Sequence, residues 1–198
     1  MGLVRVSDKE LVQRVAGGDC DAFNLLVGRW EKKLFNLAYR LVGNREDAFD
    51  ICQDTFIRAY EQMHQLKDPG KFAQWLFQIA RNLCISHHRS SKPASQHLVI
   101  GAESEEMDLE ALLSDGSPIS LDGGERFQPS ELRLIVERAL SYLPMEQKET
   151  VVLKIYEGLK FSEIAEITET PVSTVKSRLY LGLSQLKKIL TNTWRSAP

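Results

Sequence analysis

Apolar residues recur along most of this chain at three- and four-residue spacing, the period of a helix with one buried face. Ser7 and Glu10 form a capping box ahead of a helix over Asp8–Ala16, and Gly17-Gly18 closes it. Asp21 is expected to cap a long second helix. Its seam is Phe23, Leu26, Val27, Trp30, Leu34, Leu37, Ala38 and Leu41, and Gly43-Asn44 breaks it. A third helix is expected from Glu46 to Met63, with Phe49, Cys52, Phe56, Ala59, Tyr60 and Met63 inward. Asp68-Pro69-Gly70 signals a turn. A fourth helix over Phe72–His88 carries Phe72, Trp75, Leu76, Ile79 and Leu83.

The pattern changes between Pro93 and Pro129. Glycines, prolines, serines and eight acids crowd this stretch, which cannot bury enough apolar surface to offset chain entropy. It reads as a flexible acidic linker, with only residues 105–113 able to form a short helix. Beyond it the helices shorten. One runs from Ser130 to Tyr142, and a second, after Pro144, covers Met145–Tyr156 and ends at Gly158. Phe161–Thr168 forms a third. After a break at Glu169-Thr170-Pro171, Ser173 caps a long helix reaching Leu190. Two helices joined by a short turn, the second one basic, describe a helix-turn-helix. Val175, Leu179, Leu183 and Leu186 form its inward seam, facing Ile164, Ala165 and Ile167. The expected fold is all-α: an N-terminal bundle (1–92), a linker (93–129) and a C-terminal helix-turn-helix domain (130–198).

Composition adds little by itself. At 198 residues, 43% hydrophobic and 26% charged, the chain has an ordinary globular make-up. No apolar run approaches a membrane span, and the first residues carry no secretory signal. Cys20, Cys52 and Cys84, without a C-x-x-C, suit reduced thiols of a cytoplasmic protein. Charge is more telling once divided. The net charge of −2 separates into +3 over residues 1–92, −7 over 93–130 and +2 over 131–198. No Asp or Glu lies between Asp68 and Glu103, where Lys71, Arg81, Arg89 and Lys92 occur. None follows Thr170, where Lys176, Arg178, Lys187, Lys188 and Arg195 occur. A polyanion needs cations without neighbouring carboxylates, so each stretch is a candidate nucleic-acid face.

In the first stretch Phe72, Trp75 and Phe77 are interleaved with Lys71, Gln74, Gln78, Arg81 and Asn82. Exposed, such aromatics stack unpaired bases; inward, they are core. Periodicity leaves both readings open. Enzyme chemistry finds no footing: there is no phosphate loop, nucleophile elbow or metal-binding H-E-x-x-H motif. Adjacent His87 and His88 do not share a helix face. No catalytic residue, metal or cofactor is expected. Glu46, Asp47, Asp50 and Asp54 mark an acidic helix face, either solvated or docked on a basic partner.

The run Glu46-Asp47-Ala48-Phe49-Asp50-Ile51-Cys52-Gln53-Asp54-Thr55-Phe56-Ile57-Arg58-Ala59-Tyr60 resembles the D-A-E-D-x-x-Q-E-x-F-x-R-A-[WY] helix of bacterial sigma factors. Phe72-Ala73-Gln74-Trp75-Leu76-Phe77-Gln78-Ile79-Ala80-Arg81-Asn82 resembles that family's F-x-x-W-L-x-x-I-A-R-N. Ser162–Ala165 and Pro171–Leu179 are similar to its region 4 helix-turn-helix. The resemblance covers about Ser7–Arg89 and Glu131–Leu190, with two motif sets in order; the short length and the absence of the family's other regions point to the extracytoplasmic-function subfamily, group 4.

The resemblance implies a promoter-specificity factor that recruits core RNA polymerase and helps melt the −10 element, through contacts with the β′ clamp and the β flap. Asp47, Asp50, Gln53, Asp54, Phe56 and Arg58 match the surface that docks on the β′ clamp. Lys71, Phe72, Trp75, Arg81 and Asn82, with Arg89, match the −10 segment, where an unstacked base is held. Ser173, Thr174, Lys176, Ser177, Arg178 and Tyr180, with Lys187, match the −35 reader in the major groove. Promoter DNA and an anti-sigma factor are implied partners, with no membrane contact by the chain itself.

Phe49 stands where the family usually has Glu, and Leu181 and Leu183 where it often has Arg. Leu181 lies off the inward seam, so it is expected to be exposed and covered by a helical partner wedged between the domains. The 37-residue stretch Pro93–Pro129 spans about 33 Å as coil and about 120 Å extended. Two boxes about 17 base pairs apart lie about 58 Å from one another, so the linker must be drawn out to serve both. The rival readings are a stand-alone helix-turn-helix regulator and a helical adaptor that binds no DNA.

Overall fold

The computed structural model describes residues 6–91 and 129–195. Eight α-helices and no strand occur among them: α1 (Asp8–Ala16), α2 (Cys20–Val42), α3 (Arg45–Glu61), α4 (Phe72–Ser91), α5 (Pro129–Ser141), α6 (Met145–Val151), α7 (Phe161–Thr168) and α8 (Val172–Arg195). The expected linker and its short helix lie outside the described residues, except that Pro129 already opens α5.

Helix ends follow local chemistry. Ser7 accepts the Glu10 amide at 3.2 Å and starts α1. The α2 cap is Asp19 rather than Asp21, with Oδ1 accepting the Ala22 amide at 3.1 Å. Gly18, at φ 92°, turns the chain two residues earlier than expected. Arg14 donates to the Asp19 carboxylate at 2.9 and 2.7 Å and holds its pKa below the ordinary value. Asp21 falls in the first turn, where its charge suits the helix dipole. Gly43, left-handed at φ 79°, ends α2, and Asn44 caps α3 by accepting the amides of Glu46 and Asp47.

The α2 seam is buried as expected at Leu26, Trp30, Leu34, Leu37, Ala38 and Leu41, with Phe23 and Val27 partly covered. Trp30 Nε1 donates to Asp8 at 3.1 Å, satisfying its one polar atom. On α3 the buried set is Ala48, Ile51, Cys52, Thr55, Phe56 and Ala59, with Met63 just beyond the helix. Phe49 and Tyr60, expected inward, are 54% and 49% exposed. Small Ala48 lies in the seam beside Phe49, and Ala59, expected there, beside Tyr60; a large residue one position away is turned by about 100°. Thr55 sends its hydroxyl to Ile51 O at 2.7 Å.

The C-terminal unit also departs from expectation at two helix ends. The helix expected over Met145–Tyr156 is α6 followed by a π-turn, Val152–Tyr156, closed by the Glu157 amide on Val152 O at 3.3 Å. Helix α8 begins at Val172, and Val175 N–H reaches Pro171 O, so Ser173 lies in the first turn and is not the cap. Val175, Leu179 and Leu186 are buried and Leu183 is partly so. Gly182 permits close approach to α6: a Cβ there would lie 3.0 Å from Val151 Cγ2.

The two units lie directly on one another. Val152, Leu153, Ile164, Ile167 and Val175 join the same apolar cluster as the bundle, while Ala139, Leu140, Leu143, Val151, Leu179 and Leu186 form a second one. Helix α7 packs on α4, so a helix wedged between the units at this contact has no gap to enter. Buried Lys148 donates to Leu41 O at 3.2 Å, so a cation of one unit meets the carbonyl end of α2 in the other. Arg40 stacks 4.0 Å over the Tyr156 ring. No described helix is long and apolar enough to cross a membrane.

Candidate functional site

The acidic face of α3 forms one candidate surface. Asp50, Gln53, Asp54 and Arg58 are exposed and Asp47 is half-buried. Asp47, Asp50 and Asp54 line a cleft of about 390 Å³ between α3 and α4, with Ile51, Leu83, Ser86, His87 and Ser90. His87 Nε2 lies 3.4 Å from Asp47 Oδ1 on its rim. Phe56 is buried, edge-on to Phe23, and reaches solvent only as part of a second cleft with Ile57 and Tyr60. It therefore serves as packing rather than as a free contact. Sequence reasoning missed Ile57, which is exposed and lines that second cleft with Phe23 and Asn24 of α2. An apolar residue immediately after Phe56 was the available signal.

The aromatic residues of α4 resolve the open reading inward. Phe72 is 1% exposed and meets Trp30 edge-on at 6.4 Å, and Phe77 meets Trp30 at 5.7 Å. Neither can stack on a base in this arrangement. Trp75 is half-buried, tilted against Phe72 at 6.2 Å. The polar residues face the C-terminal unit. Lys71 Nζ pairs with Glu166 at 2.7 Å, which raises the lysine pKa, and Gln78 Nε2 donates to Glu169 at 2.9 Å. Arg81 donates twice to Glu149, at 2.8 and 3.2 Å, and once to Asn82 Oδ1 at 3.2 Å. Asn82 and Arg89 are exposed.

The α8 surface is more open. Ser173, Lys176, Ser177 and Lys187 are exposed; Thr174, Arg178 and Tyr180 are partly covered. Ser173 and Ser177 sit one turn apart at the helix start, and Ser177 Oγ donates to Ser173 O at 3.1 Å. The unpaired amides there favour anions. Lys176 lies 5.7 Å from the Phe161 ring centroid. Burial raises the Tyr180 pKa. Arg178 Nη1 is 3.8 Å from Glu149 Oε1, so one carboxylate faces cations of both candidate DNA surfaces. Leu181 is 44% exposed, as expected. Among the described residues, no group of three or more His, Cys, Asp or Glu side chains is placed to hold a metal ion.

Comparison with known proteins decides between the readings. The Sigma-70 region 2 family matches residues 26–93, and Sigma-70 region 4 matches residues 133–186. The chain is 34% identical to the ECF RNA polymerase sigma factor SigW of Bacillus subtilis, over 92% of this chain and 96% of that one. The chain belongs to the ECF sigma-70 family. It is also 30% identical to the RNA polymerase sigma-H factor of Pseudomonas aeruginosa, across 98% of this chain and 100% of its relative. The fold is also similar to that in the structure of CnrH in complex with the cytosolic domain of CnrY. That match has a TM-score of 0.67 and 22% identity, covering 93% of this chain and 97% of the other. As an ECF sigma factor the chain is a transcription-initiation specificity factor, with α2–α4 in region 2 and α5–α8 carrying region 4.

Proposed function

We propose that this sigma factor docks on the β′ clamp of core RNA polymerase through the acidic α3 face and reads a two-box promoter through α4 and α8. The carrying observation is the placement of three chemically distinct surfaces. Asp47, Asp50 and Asp54 gather along the α3–α4 cleft. Arg81 and Asn82 share one polar stretch of α4. Ser173, Lys176, Ser177 and Arg178 lie along the start of α8. Sequence readout at −35 would come from Arg178 and the α8 N-terminal side chains, with Lys187 on phosphate. At −10, Lys71, Trp75, Arg81, Asn82 and Arg89 would line the path of the melted strand, Phe72 supporting from the core. The β flap would be met by region 4. The protein performs no chemistry itself and works in the cytoplasm. Two solved relatives in fold are complexes, one of them of the sigma factor RpoE with the anti-sigma factor NepR from Bartonella quintana, at TM-score 0.60. An anti-sigma factor is proposed as a partner here as well, seated on the outer surface rather than between α4 and α7.

The test is reconstitution. Added to core polymerase, the chain should direct run-off transcription from promoter fragments of its genome. Asp50→Lys with Asp54→Lys should lose co-purification with core while helicity stays intact. Unchanged co-purification at low and moderate salt would contradict the docking surface.

A further inference from the structure

Helix α4 and the turn before it meet region 4 through polar side chains that donate to its acids. Lys71, Gln78 and Arg81 meet Glu166, Glu169 and Glu149, which lie 95, 91 and 68 residues away in the chain. The three acids come from different places: the middle of α7, its left-handed C-cap and the second half of α6. Glu149 is the most committed of them. Its side chain is 1% exposed, accepts two hydrogen bonds from Arg81 and faces Arg178 at 3.8 Å.

Glu169 adds a backbone observation. It adopts φ 54°, the only non-glycine among the described residues with positive φ. Glycine or asparagine suits that position at least cost. A glutamate held there reaches across to Gln78 Nε2 at 2.9 Å. A side chain retained at a strained backbone position is a reason to look for a role beyond the turn.

We propose that Glu149, Glu166 and Glu169 form an intramolecular latch that occupies the −10 surface of α4 as a substitute for DNA phosphates. The latch holds the free sigma factor closed. The inference rests on the assignment of Lys71, Arg81 and Arg178 to DNA contacts. Carboxylates and phosphodiester oxygens offer the same hydrogen-bond acceptors to a guanidinium or ammonium group. Glu149 touches cations of both DNA surfaces, so closure masks Arg81 and engages Arg178 together. Lys148, the next residue, adds the bond to Leu41 O that holds α6 against the end of α2. Opening would free the α4 surface and let the two regions separate to span two promoter boxes. A closed population reduces apparent DNA affinity by the open fraction. Core polymerase, by binding the open form, would draw the equilibrium over.

The full-length chain without polymerase tests this, through its radius of gyration in solution scattering and its binding to a labelled random 20-nucleotide single strand. The variants are Glu149→Gln and, separately, Glu166→Gln with Glu169→Gln. The latter pair is exposed, so it leaves the core intact if the buried Glu149 variant fails to fold. Glu137→Gln with Glu146→Gln serves as control: it matches the double variant's change in charge, but Glu137 pairs with Arg133 instead of α4.

The latch predicts a larger radius of gyration and about fivefold tighter binding than the control. The dependence of log affinity on log salt should steepen by about 0.7 for each cation freed. An unchanged radius with control-level binding would overturn the latch. A larger radius with control-level binding would also overturn it, as a contact that joins the regions without masking DNA. Arg81→Ala in that opened background then separates the two ideas. If it weakens binding, the α4 assignment stands and only the latch fails; if it does not, the assignment itself is wrong.

Discussion

Among the described residues, α4 and α8 are the two acid-free, cation-bearing helices, and the fold treats them differently. Helix α4 is the more enclosed: one side belongs to the bundle core through Phe72, Leu76, Phe77, Ala80 and Leu83, and α7 packs on it as well, leaving Asn82, Ser86, Arg89 and Ser90 in solvent. Helix α8 is buried along Val175, Leu179 and Leu186 and leaves Ser173, Lys176, Ser177 and Lys187 in solvent. A stretch of sequence without acids is therefore not a surface without acids. Carboxylates absent from residues 69–102 return through tertiary contacts, from α6 and α7.

The largest effect that sharpens this contrast is in the core. Leu76→Ala, at a fully buried position of α4, should lower unfolding stability by about 2–5 kcal/mol in denaturant titration. Leu181→Asp on the exposed side of α8 should change it by no more than about 0.5 kcal/mol. Equal effects would mean that α8 is as enclosed as α4. Gly182→Val tests the one close approach α8 makes. Its Cβ would stand 3.0 Å from Val151 Cγ2 and 3.4 Å from Gln147 Cβ, so overpacking should cost about 1–3 kcal/mol. A neutral or stabilising outcome would show that α6 yields easily.

Cysteine reactivity gives the finest probe. Burial pushes the Cys84 thiol on α4 up to about 12 and the Cys52 thiol up to about 11, while Cys20 is exposed. Raised values keep both buried thiols protonated, and so unreactive, through pH 9; they ionise only above it. At pH 8 a disulfide reagent should titrate one thiol per native chain and three in denaturant. Modification of Cys84 in the native chain, located by peptide mapping, would mean that the cover over α4 is transient.

The long seam of α2 was legible because one large apolar residue per turn marks a helix face without ambiguity. Helix α3 was less so: Cys52, Phe56, Ala59 and Met63 are buried as the spacing indicates, but Ala48, Ile51 and Thr55 complete the stripe in place of Phe49 and Tyr60. Phe72 and Phe77 show the limit of aromatic interleaving, since the same spacing serves a stacking platform and a core. The shift of the α2 cap to Asp19 followed from the φ of Gly18, which a run of two glycines leaves open. The contacts between regions 2 and 4 had no local signal. Arg81 and Glu149 each look like an ordinary surface charge until the chain brings them together.

On the proposed function, α4 and α8 read separate promoter boxes in one polymerase complex. Transcription of fragmented genomic DNA by core polymerase with the purified chain, followed by sequencing of RNA 5′ ends, tests it most directly. The wild-type start sites should share two boxes. Arg178→Ala should relax the upstream box alone, at a cost of about 1–3 kcal/mol in discrimination, and Asn82→Ala the downstream box alone. If each variant degrades both boxes equally, or if neither alters either box, the division of labour between the two helices is wrong.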